Sequence, residues 1–400
     1  MKNKKSHFKI TTADPDRHLM AISKITSDAF AGGQYVQEIA DTYIGNCHYD
    51  WDATRLIWDG ERLIHHWGVW GYPMRLETVQ LRVAGVGAVV TEEAYRKQGL
   101  MRQAALASFE SMRQQGYDLS ILRGRHYVKF GYARAWNYIT YRLKPEEIPD
   151  LPIQHPYRKL DTEHIGAMDS LYNETHRSFS GTAVRPTYRQ KSSEDLSAYG
   201  WFDESGRLIG YVRASPPEDD KASMQCLEAV GDPRQALAVL HELLQKGEYK
   251  SLTLFTLPPQ HPLLQLIRLG NCVVETRYFA TSGWRVRIVN LQGTLEKICP
   301  LLEARLQRSH FAGWNGRLLL DAGEQKAVLE IGDGGIHVTK ARTAKNRLEG
   351  GAGIGRLLIG SDEPMEIIQQ EKIVCTAEAM QLAVVLFPNL YPMLSQWDEC

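Results

Sequence analysis

The residues best able to do chemistry lie in Val86-Gly-Ala-Val-Val-Thr-Glu-Glu-Ala-Tyr-Arg96-Lys-Gln-Gly99-Leu-Met-Arg102. The small and β-branched run from Ala84 to Val90 reads as a strand. It passes through Arg96-x-x-Gly99 into a helical pattern that extends to Gln115. A helix N-terminus leaves backbone N–H groups without intrahelical acceptors and carries the positive end of the dipole, so it can hold an anion. Gly99 lets the backbone approach such a guest, while Arg96 and Arg102 can add charge-assisted hydrogen bonds. Pyrophosphate is the natural candidate. Taken alone, Arg-x-x-Gly reads more readily as a glycine turn with a solvated arginine. The order around it shifts that reading: a strand before, an amphipathic helix after, then a second strand leading to Tyr127-Val-Lys-Phe-Gly-Tyr132.

Other chemical signals are weaker. Gly350-Gly-Ala-Gly-Ile-Gly355 looks like a dinucleotide loop, but the G-x-G-x-x-G spacing fails at Arg356 and at Leu358, so a plain loop is expected. His241-Glu-Leu-Leu-Gln245 ends in Gln where a zinc-protease helix needs a second histidine. His65 and His66 fall in a strand pattern and point to opposite faces. Six cysteines are scattered without a C-x-x-C pair, which suits reduced thiols and neither a disulfide framework nor a zinc site. No metal is implied.

The elements that must position these residues follow from periodicity. Arg55 to Val90 reads as an antiparallel meander with Asp59-Gly60 as a tight turn. In the following helix Met101, Ala105, Phe109 and Met112 share one face, and Gly116 supplies the stop. A strand from Leu119 to Leu122, a helical turn around Tyr127 to Phe130 and an aromatic strand from Ala133 to Leu143 follow. Lys144-Pro145 and Pro149 close a first unit, 1–145. A second unit, 146–285, repeats the plan without a glycine-rich turn. Asp232-Pro233 opens a helix to Lys246, then come a strand from Ser251 to Leu257, a short helix around Leu263 to Leu269 and a strand from Cys272 to Phe279. The third, 286–400, carries a helix from Leu291 to Gln307, hairpins from Arg317 to Val338 and helices at Arg356–Gly360 and Thr376–Phe387. It reads as a small α+β domain, and its apolar end from Leu390 is expected to dock.

Length and composition agree. A chain of 400 residues exceeds the roughly 250–300 residues one core supports, so two or three domains are expected. Hydrophobic residues at 43% and charged residues at 24% exclude long disorder and low complexity. The 47 basic residues equal the 47 acidic ones, so no field gathers nucleic acid or anionic lipid. The longest apolar stretches, such as Ala383 to Pro388, are far too short for a membrane span. The basic start, Met1 to Lys9, lacks the apolar run of a signal peptide, so a cytoplasmic protein is expected.

The Val86–Arg102 segment resembles motif A of the GCN5-related N-acetyltransferases (GNAT). The closer likeness is to the Eis (enhanced intracellular survival) acetyltransferases. It rests on Val89-Val-Thr91, Arg96-Lys-Gln-Gly-Leu-Met-Arg102, Tyr127-x-x-Phe-Gly-Tyr132, Trp284-x-x-Arg-x-x-Asn290 and the three-part length. The resemblance implies a mixed α/β chain with two tandem GNAT-like domains, the second degenerate, and a C-terminal domain like sterol carrier protein 2 (SCP2). It also implies a hexamer that moves acetyl groups from acetyl-coenzyme A to amines, aminoglycosides included. Carried over by resemblance, Val89, Val90 and Thr91 receive the thioester and pantetheine. Arg96, Lys97, Gln98, Gly99, Leu100, Met101 and Arg102 receive the pyrophosphate, and Leu122 and Arg123 touch the cofactor again. Tyr127 matches the acid that protonates the departing thiolate, the C-terminal carboxylate of Cys400 matches the base, and Glu399 matches an acidic residue near the substrate amine. The family commonly ends in Phe where this chain has Cys400, whose thiol buries less surface.

General chemistry suits those roles. An ammonium must lose a proton before it attacks a thioester, so a nearby carboxylate is useful. A main-chain N–H stabilises the oxyanion, and a phenol can donate to the sulfur. The reading that competes with an acid role for Tyr127 is a core aromatic packed on Phe130. The small-molecule amine acceptor is expected to be aminoglycoside-like or polyamine-like. A protein-lysine acetyltransferase, or a non-catalytic carrier of coenzyme A or lipid, are the alternatives.

Overall fold

The computed structural model describes residues 8–45, 48–187, 196–216, 222–255, 257–332, 334–339 and 341–399, and strands and helices are counted among these. The first sheet grows from a meander. Strand β1 (Lys9–Thr12) pairs with β2 (Arg55–Asp59), β2 turns at Gly60 into β3 (Arg62–Leu76), and β3 returns as β4 (Val79–Thr91). β3 is apolar almost throughout because both of its faces are covered. Trp67 and Val69 pack with one cluster, under helix α2 (Leu100–Gln114), whereas Trp70, Tyr72 and Met74 join the cluster on the other face. Helix α1 (Pro15–Phe30), started by the Asp14 carboxylate accepting from Arg17 N, packs against β3 and β4. From β4 the chain crosses through α2 to a parallel strand, β5 (Leu119–Arg123), then reaches β6 (Ala133–Arg134).

The second sheet holds β7 (Tyr138–Leu143), β8 (Tyr157–Lys159), β9 (Ala198–Phe202), β10 (Leu208–Ser215), β11 (Ser223–Val230), β12 (Ser251–Phe255) and β13 (Val273–Arg277) in the order β13-β7-β12-β11-β10-β9-β8. Helices α3 (Ile165–Thr175), α4 (Pro233–Lys246) and α5 (Pro262–Ile267) accompany it. Next comes β14 (Trp284–Ile288), and then α6 (Leu291–Gln307). A five-stranded sheet follows, built from β15 (Gly316–Asp321), β16 (Lys326–Gly332), β17 (Gly335–Thr339), β18 (Asn346–Glu349) and β19 (Val374–Cys375). Helices α7 (Gly353–Ile359), α8 (Pro364–Gln370) and α9 (Ala377–Leu386) complete that unit. The chain is thus a mixed α/β protein with two tandem sheet domains and a further small sheet. Among the described residues, no helix is long and apolar enough to cross a membrane.

Two expected boundaries do not match sheet membership. The strand read as continuous from 133 to 143 is broken at Ala135-Trp136-Asn137, and its second half, β7, lies in the second sheet between β12 and β13. Conversely β14, which straddles 285, lies in the first sheet between β5 and β6. Trp136 stacks on Trp284 at 5.5 Å and Ala135 N donates to Trp284 O at 2.8 Å, so the break is where the two strands exchange sheets. An apolar strand pattern cannot say which sheet receives it, because pairing is set by distant partners. A second correction concerns Gly353 and Gly355, expected in a loop, which open α7 instead. The tail docks: Leu390, Met393, Leu394 and Trp397 are buried.

Candidate active site

The site begins with a bulge. His66 pairs with Val90 and Gly68 with Gly87, so Ala88 and Val89 together face the single residue Trp67, and Ala88 takes φ +46°. His66 holds this kink. Its Nδ1 lies 2.7 Å from Ala88 O and its Nε2 lies 2.7 Å from the Tyr49 hydroxyl. A carbonyl only accepts, so Nδ1 carries the proton and Nε2 accepts from Tyr49. Burial lowers the His66 pKa to about 4, which keeps the ring neutral. His65, lowered by burial to about 3, holds the strand end through Nδ1 and Thr91 Oγ1 at 2.7 Å.

Just before the bulge, β4 parts from β5. Their parallel register runs only from Val83 and Leu119 to Gly85 and Ile121, after which β5 continues against β14. The end of β4 from Val89 to Thr91 therefore lies beyond any register with β5 among the described residues, and there an extended ligand can pair with the strand.

The turn that follows is built to hold an anion. Lys97 and Gly99 both lie in the left-handed region, at φ +64° and +80°. A Cβ on Gly99 would meet nothing within 4 Å, so conformation and open space, not crowding, select glycine here. No side chain caps α2 and its first turn holds no acid. Arg102 stands in that turn instead, next to Arg96 and Lys97, although cations are unfavourable at a helix N-terminus. With Lys129 they make four cations, none ion-paired to a described residue. The contrast with α4 is direct: there Asp232 accepts from Gln235 N, supplying the anion from the chain itself.

Of the residues singled out in the sequence, Val89, Val90, Thr91, Arg96, Lys97, Gly99, Leu100, Met101, Arg102 and Tyr127 line one cavity of about 560 Å³. Gln98 does not, its amide lying 3.5 Å from Ala94 O. Leu122 is buried in the core under α2. Arg123 faces elsewhere and pairs with Glu399 at 2.8 Å. Glu399 also accepts from the Tyr138 hydroxyl at 2.9 Å, and that oxygen in turn accepts from Trp284 Nε1 at 3.1 Å. Cys400 lies outside the described residues. Ala29, Phe30, His126 and Lys129 join the cavity without any sequence signal that marked them.

Tyr127 packs edge-on against Trp67 at 5.8 Å and Tyr132 at 6.3 Å, on the cluster that also holds Phe130. Its hydroxyl makes no hydrogen bond to a described residue. Burial pushes its pKa up to about 12, so at neutral pH the phenol is a proton donor facing the cavity.

Comparison with known proteins agrees with this geometry. Residues 16–135, from α1 to β6, match the family model of the acetyltransferase (GNAT) domain. No curated protein matches the chain by sequence. A GCN5-related N-acetyltransferase from Anabaena variabilis superposes with TM-score 0.73 at 16% identity, covering 97% of this chain and 99% of its own. One from Kribbella flavida gives 0.72 at 16%, covering 99% and 100%. Eis1 from Mycobacterium abscessus gives 0.70 at 15%, covering 97% and 99%. At such identities the likeness establishes the fold of the whole chain. The domain that houses the cavity is an acetyltransferase (GNAT) domain, that of an acyltransferase.

Proposed function

We propose that this chain transfers the acetyl group of acetyl-coenzyme A to a primary amine of a small polycation, aminoglycoside-like or polyamine-like. The observation that carries the reading is one continuous cavity. It is lined by the uncapped start of α2, by Arg96, Lys97, Arg102 and Lys129, which form no ion pair with a described residue, by Val89 to Thr91 at the end of β4, and by Tyr127. Those groups suit the parts of coenzyme A: cations and helix N-terminal N–H groups for the phosphates, a strand for the amide-bearing arm and a phenol for the thioester.

The pyrophosphate accepts from the N–H groups of the 97–102 turn, and Arg96, Lys97 and Arg102 offset its charge. The pantetheine amides pair with the end of β4, Val89 to Thr91, whose N–H groups polarise the thioester carbonyl. The neutral amine adds to that carbonyl, giving a tetrahedral oxyanion. Its collapse breaks the C–S bond, the electron pair leaves on sulfur, and the Tyr127 hydroxyl donates the proton that makes free coenzyme A thiol. A carboxylate at the chain end takes the proton the amine loses. Glu399 stands beside Arg123, at the close of the strand that leads to Tyr127, and the likeness to Eis acetyltransferases assigns the base to the Cys400 carboxylate. On the same likeness the third unit, β15 to β19 with α6 to α9, is an SCP2-like domain.

The test is thiol release from acetyl-coenzyme A with aminoglycosides, polyamines and a lysine-rich peptide as acceptors. Release that depends on a small polyamine acceptor and is lost in Tyr127→Phe supports the reading. Coenzyme A binding without release to any amine refutes it.

A further inference from the structure

In the second domain the start of α4 is satisfied by its own Asp232. The buried polar groups of that domain converge elsewhere. Arg185, 5% exposed, is pinned by its backbone to Asn173 of α3, with N donating to Oδ1 at 2.9 Å and O accepting from Nδ2 at 2.7 Å. Its guanidinium lies 3.5 Å above the Tyr172 ring. On one side it donates to both oxygens of Glu228 on β11, and on the other to both oxygens of Asp398 in the tail, at 3.0 to 3.2 Å. Glu228 also accepts from Tyr211 at 3.0 Å and from Ser395 at 2.5 Å, and Asp398 accepts from Thr187 at 2.7 Å. Arg213 covers the Trp397 ring at 3.5 Å. Asp398 is fully buried.

The segment that carries Arg185 also reaches the first sheet. Gly181 N donates to Arg75 O and Arg75 N to Thr182 O, both at 2.8 Å, and Val184 N donates to Pro73 O at 2.9 Å. Met393 N of the tail donates to Ser180 O at 3.0 Å. Gly181 has φ +81°, and a Cβ there would sit 2.5 Å from Met393 N, so the tail passes where only glycine leaves room. One short strap thus touches β3, α3 and the tail.

Buried ion pairs are poor evidence of stability, and their best-attested use is to fix one arrangement among several. We infer that Arg185 is a positioning residue, whose bidentate grip on Asp398 and Glu228 locks the tail so that Glu399 is delivered to Arg123 and Tyr138, at the end of the strand that leads into the Tyr127 turn. On this view the second domain serves the reaction as the clamp for a segment that the first domain needs. The inference rests on the proposed acetyl transfer.

The full chain is tested as Asp398→Asn, which keeps the shape and removes the charge. Gly181→Val blocks the passage of the tail without touching any charge. Hydrogen exchange across 390–399, coenzyme A affinity, kcat and acceptor KM are read together. Both variants should speed exchange in the tail and lower kcat by at least about tenfold, while coenzyme A affinity stays within about twofold. Arg185→Lys should behave like Asp398→Asn, since a point charge cannot span two carboxylates as a fork does. Unchanged tail exchange overturns the clamp, and lost tail protection with unchanged kcat overturns its role in the reaction. Loss of coenzyme A affinity in step with kcat would mark general unfolding and also overturn it. If the unaltered chain binds coenzyme A yet acetylates no amine, the acetyl-transfer reading fails. The clamp then stands or falls on tail exchange alone.

Discussion

Arg102→Glu should move stability and function in opposite directions. Arg102 is the third residue of α2, exposed and without an ion pair to any described residue, at a helix end that no side chain caps. A cation in the first turn opposes the helix dipole and an anion complements it, each by about 0.3–1 kcal/mol, so the exchange should stabilise the ligand-free chain by roughly 0.6–2 kcal/mol. A glutamate there can also reach back to the Gly99 N–H, completing half of a capping box. Binding should respond with the opposite sign. Two unit charges about 4 Å apart in water interact by about 1 kcal/mol, so an attraction lost and a repulsion gained amount to roughly 2 kcal/mol. That weakens coenzyme A binding about 30-fold. Denaturant unfolding without ligand measures the first quantity and calorimetric titration with coenzyme A the second. Repeating the titration at high salt should narrow the difference, because exposed charges are screened. An unchanged affinity, or a ligand-free chain less stable than the parent, would refute the argument that this helix end is kept unfavourable for the sake of an anion.

Other outcomes follow from the same contacts. His66 titrates at about 4 in the fold against an ordinary 6.5, so the unfolded chain binds the extra proton. Its contribution to stability is present in full above about 6.5, is lost as pH falls toward 4, and amounts to roughly 3 kcal/mol. Unfolding curves from pH 7 to 4 should show that loss, reduced in His66→Gln. Asp232→Ala should cost about 1 kcal/mol through the lost cap of α4 and leave coenzyme A affinity unchanged, because that helix end is filled by the chain's own carboxylate and lies outside the cavity. A loss of affinity there, seen by titration, would contradict the contrast drawn between the two helix ends.

Much of this was legible in the sequence where the determinants are local. The Arg96-to-Arg102 turn, α2, and the Asp232-Pro233 start of α4 each depend on residues within a few positions, and periodicity or capping chemistry reveals them. The exchange of β7 and β14 between sheets was not legible, since both are short apolar strands whose partners lie more than a hundred residues away. The bulge shows the same limit. His66 and Tyr49 look like ordinary strand and loop residues until the fold sets one on Ala88 O and the other on the imidazole. Phe30 and Lys129 reach the cavity from α1 and from the turn after β5, which no local pattern announces. Leu122 and Arg123 show the same limit from the other side. Alternation along β5 sends one into the core and the other to Glu399, so adjacency in sequence did not make them neighbours in the cavity.

The central claim is that Tyr127 ends a coenzyme A channel and protonates the departing thiolate. The most direct measurement is acceptor-dependent thiol release from acetyl-coenzyme A by the unaltered chain and by Tyr127→Phe, with coenzyme A affinity measured for both. The account predicts that kcat falls by about a hundredfold or more in the variant while affinity changes by less than about twofold, since the proton matters only as sulfur departs. Equal turnover in the two proteins would remove Tyr127 from the chemistry and contradict the account.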